Sequence, residues 1–298
     1  MRLDPGLTRV LRREHRTGSY HDRMRKAIKM AGWCLAGCGV VAPALAEQAA
    51  VVEFGKDYLI GAALTSSTAH MGQTENNLRL KPVFAFQLGR LRVSRSRANV
   101  IMSAGRGEGV ETGVSTELLS RQNWSLSASL RLDNGRSFEG DPRWEGLPDI
   151  QDTVRGRVSA RRSLGARWST SVSFDHDLLD KDGGGRLLAG LGYRLPQSDR
   201  AHWDFSASGS WGSSRYMQTH YGISSPSAAL VGSRAYTPGS GPESLQLGID
   251  YTHALGENWV AFGGVGFSRL VRPAAASPLI DRKSTYGMSV GLAWRSSR

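Results

Sequence analysis

Apolar and polar residues alternate along most of the chain with a period of two. Trp124, Leu126, Ala128, Leu130 and Leu132 fall on one face of an extended segment, and Ser125, Ser127, Ser129 and Arg131 on the other. Trp168, Thr170, Val172 and Phe174 alternate with Arg167, Ser169, Ser171 and Ser173. Trp203, Phe205, Ala207 and Trp211 alternate with Asp204, Ser206, Ser208 and Ser210. The same order holds for Leu245, Leu247, Ile249 and Tyr251 against Gln246, Gly248, Asp250 and Thr252, and again from Tyr286 to Trp294. Past Val51 no stretch sustains a helical period bounded by caps.

The two faces select among all-β folds. The apolar face ends in aromatics at Trp124, Trp168, Trp203, Trp211, Tyr286 and Trp294, where an interfacial girdle would place them. The opposite face is Ser, Gly, Asp and Arg, too small and polar for a packed core. A soluble sandwich or lipocalin-type barrel buries its large side chains and shows the polar ones. Here the large side chains are explained by lipid and the small ones by a wet lumen. Strands of about 9–11 residues suit a tilted crossing of a bilayer. The pattern predicts an all-β fold, a transmembrane antiparallel β-barrel over residues 47–298, in the outer membrane of a Gram-negative cell.

Thirteen segments qualify as strands, near 57–67, 78–88, 98–106, 110–119, 123–133, 152–162, 165–176, 185–195, 201–211, 215–223, 244–255, 257–270 and 284–295. Barrels of this kind take an even number. Alternation is weakest at 98–106 and 215–223, so about 12 strands are expected, with 10 the alternative. Links at 120–123, 164–165 and 256–258 are tight; those at 134–151, 177–184, 224–243 and 271–283 are long and rich in Pro, Gly, Ser and charge. Short periplasmic turns and long outer loops give that contrast.

The start of the chain has a different character. Arg25, Lys26 and Lys29 precede an uncharged apolar run from Met30 to Ala46, which closes in Ala44-Leu45-Ala46 before Glu47. A basic region, a short apolar stretch and small residues at the cut make residues 24–46 a secretory signal peptide, with Ala44, Ala46 and Glu47 at the cleavage site. Leu35-Ala36-Gly37-Cys38 offers an alternative, a lipobox with Cys38 acylated. Residues 1–23 read as an upstream extension or a mis-called start, with Met24 as the initiator.

Processing changes the composition. The 38 Lys+Arg against 26 Asp+Glu give a net charge of +12, which by itself would raise nucleic acid as a partner. Nine of the basic and three of the acidic residues precede residue 47, so 29 against 23 remain, and nucleic acid is not expected. Both Cys, at 34 and 38, leave with the signal, which removes disulfides and Cys-ligated metal.

Catalytic chemistry finds little footing. His70, His176, His202, His220 and His253 form no H-E-x-x-H or other paired metal spacing, and no G-x-S-x-G elbow occurs. His220 near Ser224, or His176 beside Asp175 and Asp177, are neighbours that alternation supplies by chance. Asp180-Lys181-Asp182 before Gly183-Gly184-Gly185 reads as a hairpin tip rather than a Ca²⁺ loop. No enzyme, cofactor or metal is expected. Arg155, Arg157 and Arg161 share one strand face, with Arg167 and Arg194 on polar faces of later strands. They form either a structural ladder with Asp152, Asp175, Asp204 and Asp250 or a basic lumen that favours anions.

The last third of the chain resembles a known family. Tyr221-Gly222-Ile223-Ser224, then Ala228, then Tyr236-Thr237-Pro238-Gly239-Ser240-Gly241, is similar to a run of the MltA-interacting protein (MipA/OmpV) family. Trp259, Arg269-Leu270, Ala274 to Leu279 and Leu292-Ala293-Trp294-Arg295 follow in the family's order, and Gly146-Leu147-Pro148-Asp149-Ile150 resembles an upstream segment. The similarity spans about residues 57–296 and is specific from 217. It implies a non-enzymatic outer-membrane scaffold that holds a lytic transglycosylase near a bifunctional penicillin-binding protein. The alternative is a small channel or solute-binding porin with a basic lumen.

Overall fold

The computed structural model describes residues 58–68, 76–95, 113–138 and 143–296. Within them twelve strands close into an antiparallel barrel, each paired with its neighbours in sequence and the last with the first. They are β1 (Tyr58–Thr68), β2 (Asn76–Leu88), β3 (Leu91–Arg95), β4 (Gly113–Arg121), β5 (Trp124–Asp133), β6 (Thr153–Leu164), β7 (Trp168–Asp177), β8 (Gly185–Ser198), β9 (Ala201–Gly212), β10 (Gly241–Ala254), β11 (Trp259–Leu270) and β12 (Ser284–Arg295). No helix among the described residues is long and apolar enough to cross a membrane.

The expected number of strands is met with a different membership. The segment 215–223 is a helix, α1 (Ser214–Tyr221), capped by the Ser213 side chain, which accepts from the Tyr216 amide. Its buried residues Tyr216, Met217 and Tyr221 share a helical face, and that spacing prevailed over a weak alternation. A second short helix, α2 (Ser225–Leu230), is capped by Ser224 and carries Pro226 in its first turn. The expected strand 98–106 lies outside the described residues, and the short β3 stands in the wall between β2 and β4.

Register fixes which way every side chain points. Leu130, Val158, Val172, Leu187, Leu247, Val265 and Val290 sit on the outer face, each at least 45% exposed, which in water would be an aggregation hazard and against lipid is burial. Aromatics gather at the ends of this face. At the short-turn end Tyr58 packs on Trp294 at 5.4 Å, Trp168 on Tyr193 at 4.7 Å and Trp203 on Tyr251 at 4.6 Å. At the other end Phe267 lies 5.1 Å from Tyr286, and Trp211 is exposed. Trp203 and Trp211 are eight residues apart on β9, roughly 26 Å along the strand and about 20 Å in height at a barrel strand's usual tilt, close to the height of an apolar band between two interfaces.

The inner face is not polar all round. Leu59, Ala63, Val83, Ala85, Val260, Phe262 and Ala293, from β1, β2, β11 and β12, form a buried apolar cluster inside the wall. The Phe262 ring lies over Gly291, where a Cβ would collide with it, so this side of the barrel fills its own interior. The opposite side, β3 to β10, keeps the polar lining.

Candidate functional site

Four of the described links of the long-loop end converge on the lumen from above, among them the β5–β6 link with Phe138. The β9–β10 link carries α1, the β7–β8 link is a tight hairpin, and the β11–β12 link contains a short 3-10 turn at Ala274–Ala276. Tyr216, Met217 and Tyr221 of α1 pack with Leu270, Ala274 and Ala275, while Phe138, Ile223, Ala228 and Leu279 form a second cluster just above. The run Tyr221-Gly222-Ile223-Ser224 holds this cap together. Ile223 forms a two-way backbone bridge with Tyr236, and the Ser277 hydroxyl donates to the Tyr221 carbonyl at 2.6 Å. Tyr236 donates to the Pro273 carbonyl at 2.8 Å. Gly222 is required by close approach, since any Cβ there would meet Gln218.

One bulge connects cap and wall. β10 pairs with β9 through Pro242 opposite Trp211 and Ser244 opposite Ser210, leaving Glu243 as the extra residue. Alternation alone would send Glu243 to lipid; the bulge turns both it and Ser244 inward, fully buried. Glu243 Oε1 accepts from Tyr216 Oη at 2.9 Å and Tyr221 Oη at 2.8 Å. Its Oε2 accepts from Arg186 Nε at 2.6 Å and Ser210 Oγ at 2.7 Å. Four donors thus satisfy a carboxylate that could not stay charged there unpaired. Burial pushes the phenol pKa of both tyrosines up, with the Glu243 charge acting the same way, so both keep the protons they donate.

A second network lies beside the first. Arg155 is 1% exposed and donates from Nε to Asp175 Oδ1 at 2.9 Å and from Nη2 to the same oxygen at 2.5 Å. It also donates to the carbonyls of Gly183 and Gly184, at 3.1 and 3.2 Å, and so grips the β7–β8 hairpin. Arg157 donates to the other oxygen of Asp175 at 2.9 Å. The guanidinium groups of Arg155 and Arg186 lie 5.4 and 5.8 Å from the Tyr216 ring centre, which joins the networks through α1. The hairpin itself is folded by Asp177, whose carboxylate accepts from the amides of Leu179, Lys181 and Gly183 and from the Thr153 hydroxyl. Gly184, at φ +55°, lets the tip press against the Tyr216 backbone.

The basic residues named from sequence are thereby placed. Arg155, Arg157 and Arg161 face inward on β6, and Arg161 donates to Ser169 Oγ at 3.1 Å. Arg194 faces inward on β8 in a bidentate pair with Asp204, at 2.7 and 3.0 Å. Arg167 departs from expectation: it lies in the 165–167 turn, exposed, 3.5 Å from the Tyr193 hydroxyl, because β7 begins only at Trp168. Sequence reasoning missed Glu243 and Arg186, which lie 57 residues apart in the chain and meet only where the bulge turns Glu243 inward. Ala44, Ala46, Glu47 and Cys38 lie outside the described residues.

Among the described residues the neighbours named from sequence form no hydrolytic constellation. His176 faces out, stacked on Phe174 at 6.1 Å, while its neighbours Asp175 and Asp177 face in. Ser224 is occupied as a helix cap, and His220 packs on Tyr216 at 4.3 Å. Asp180 and Asp182 both face Arg215, at 2.7 and 3.6 Å. Among the described residues no cluster of His, Cys, Asp and Glu could hold a metal.

A closed barrel with a lipid-facing outer surface, two aromatic girdles and a lumen lined by polar residues over β3 to β10 is an outer-membrane β-barrel protein. The chain belongs to the MltA-interacting protein (MipA) family, which its residues 60–296 match. Among curated proteins no relative matches the sequence. Solved structures to which it is similar include OmpF of Salmonella typhi in complex with daunomycin (9% identity, TM-score 0.38, covering 80% of this chain and 97% of that one). Others are the CymD monoaromatic hydrocarbon channel (11%, TM-score 0.36, 87% and 95%) and a loop-deletion variant of OmpT from Vibrio cholerae (5%, TM-score 0.36, 80% and 98%). These are likenesses of barrel to barrel and bear on nothing finer.

Proposed function

We propose that this protein is a non-enzymatic scaffold of the outer membrane, holding a lytic transglycosylase and a bifunctional penicillin-binding protein at the membrane's inner face. One observation carries the reading: α1 occupies the lumen at the long-loop end and is pinned there through Glu243. A solute path past that point would have to break a buried ion pair and the two tyrosine hydrogen bonds to Glu243, whereas a scaffold has no need of a path. The docking surface is then the short-turn end, which barrels of this kind present to the periplasm. It comprises the turns at 89–90, 122–123, 165–167, 199–200 and 255–258. Affinity capture of the tagged barrel from detergent-solubilised envelopes is expected to recover both murein enzymes. Recovery of neither enzyme, together with steady conductance of the purified protein in a planar bilayer, overturns the proposal.

The second reading is a small channel with a basic lumen, favoured by a cavity of about 950 Å³ on the β3–β7 side that reaches the short turns. Conduction with an anion preference that disappears when Arg155 and Arg157 are replaced is its expected signature.

A further inference from the structure

The cavity below the cap has a chemistry of its own. Its wall includes Ser127, Ser159 and Ser171 and the basic residues Arg92, Arg157 and Arg161, of which Arg92 donates to Gln87, Arg157 to Asp175 and Arg161 to Ser169. Glu117 is the single carboxylate among its described lining residues. Above it the excess continues, because Arg131 stands directly opposite Arg155 across β5 and β6, and Asp175 is shared between Arg155 and Arg157. Like charges directly opposite one another in a sheet are destabilising. A wall that needed only rigidity would alternate charge, as Arg194 and Asp204 do nearby. The volume falls at the upper end of the range for small-molecule sites. Arg157 and Arg161 are four residues apart on β6, roughly 13 Å along the strand, which is longer than a simple inorganic oxyanion.

We propose that the lumen at the short-turn end is a binding vestibule for an anionic carbohydrate, a sugar acid or sugar phosphate of one or two rings entering from the periplasmic side. Its hydroxyls meet the serine wall and its charge meets Arg157 and Arg161. The assignment is independent of the scaffold reading, since it requires neither a protein partner nor passage beyond α1.

Calorimetric titration of the purified barrel in a zwitterionic detergent tests it, with glucose 6-phosphate, glucuronate, glucose and inorganic phosphate as probes. Both anionic sugars are expected to bind at least 10-fold more tightly than glucose or phosphate. The R157Q/R161Q variant is expected to lose that binding at least 10-fold while its heat-modifiable migration is unchanged. S127D/S171D, which keeps both arginines and adds negative charge to the wall, is expected to lose it as well. Equal binding of glucose and glucose 6-phosphate, or undiminished binding by either folded variant, overturns the proposal. Inorganic phosphate binding as tightly as glucose 6-phosphate overturns the carbohydrate assignment.

Discussion

The Tyr221 hydroxyl donates to Glu243 Oε1 at 2.8 Å, joining the helix in the barrel mouth to the one residue at which β10 slips its register against β9. Tyr221 also begins the run that resembles the family, so that run builds an internal fastening. Its aromatic and hydroxyl groups end in a buried carboxylate, its glycine permits the close turn, and its serine caps the next helix.

Removing the fastening at its two ends has unequal consequences. Glu243→Ala leaves the nearly buried Arg186 without its counter-charge and frees two phenols, a loss of about 3–5 kcal/mol. Tyr221→Phe removes one bond to a charged acceptor, about 1.5–3 kcal/mol. The temperature at which heat-modifiable migration is lost is expected to fall in that order, E243A furthest. Protease cleavage within 213–240 is expected to rise in both variants, since the loosened element is the cap.

Asp175 poses the same question with two cations. Asp175→Ala strands Arg155, whose side chain is 2% exposed, beside Arg131 and Arg157. The double variant R155L/D175L removes the fully buried guanidinium together with its carboxylate and leaves only the more exposed Arg157 without Asp175. Thermal stability is expected to fall further for D175A than for R155L/D175L, although the latter changes more atoms.

How much of this was legible follows from the range of each interaction. Period two is a property of adjacent residues, so Trp124 to Leu132 or Leu245 to Tyr251 declared their faces directly, and the inward placement of Arg155, Arg157, Arg161 and Arg194 came with them. The helix at 214–221 was legible in part, because Ser213 and the spacing of Tyr216, Met217 and Tyr221 are local signals that a reading for alternation passes over. Glu243 was not. A bulge breaks the periodicity by one residue, so alternation begins only at 244 and leaves the extra residue outside the strand. The pairing of Glu243 with Arg186 across 57 positions, and the apolar lining of β1, β2, β11 and β12, depend on closure of the barrel, which no local pattern encodes.

The assignment of faces has its own test at β7. Val172 points outward at 51% exposure in mid-strand, while Leu164 lies outward at a turn. Val172→Arg is expected to cost about 2–4 kcal/mol in lipid vesicles, and Leu164→Arg about 0–1 kcal/mol, as depth in the bilayer dictates. Denaturant-induced release from vesicles measures both; equal costs would mean that Val172 does not face the hydrocarbon.

The cap is expected to loosen in acid through His220. Burial in α1 lowers its pKa to about 4; nearby Asp133 and Glu243 oppose this, and Arg136 and Arg155 reinforce it. The unfolded segment takes up its proton near pH 6.5, well before the folded one does. The neutral ring's contribution is therefore complete above pH 6.5 and is lost as the pH falls toward 4, the loss reaching about 2 kcal/mol at pH 5. Hydrogen exchange of the 213–223 amides, corrected for intrinsic rates, is expected to accelerate between pH 7 and pH 5. His220→Gln, which has no proton to gain, is expected to remove most of that pH dependence while leaving exchange in β6 to β10 unchanged. Acceleration that persists in H220Q would assign the acid sensitivity to another group.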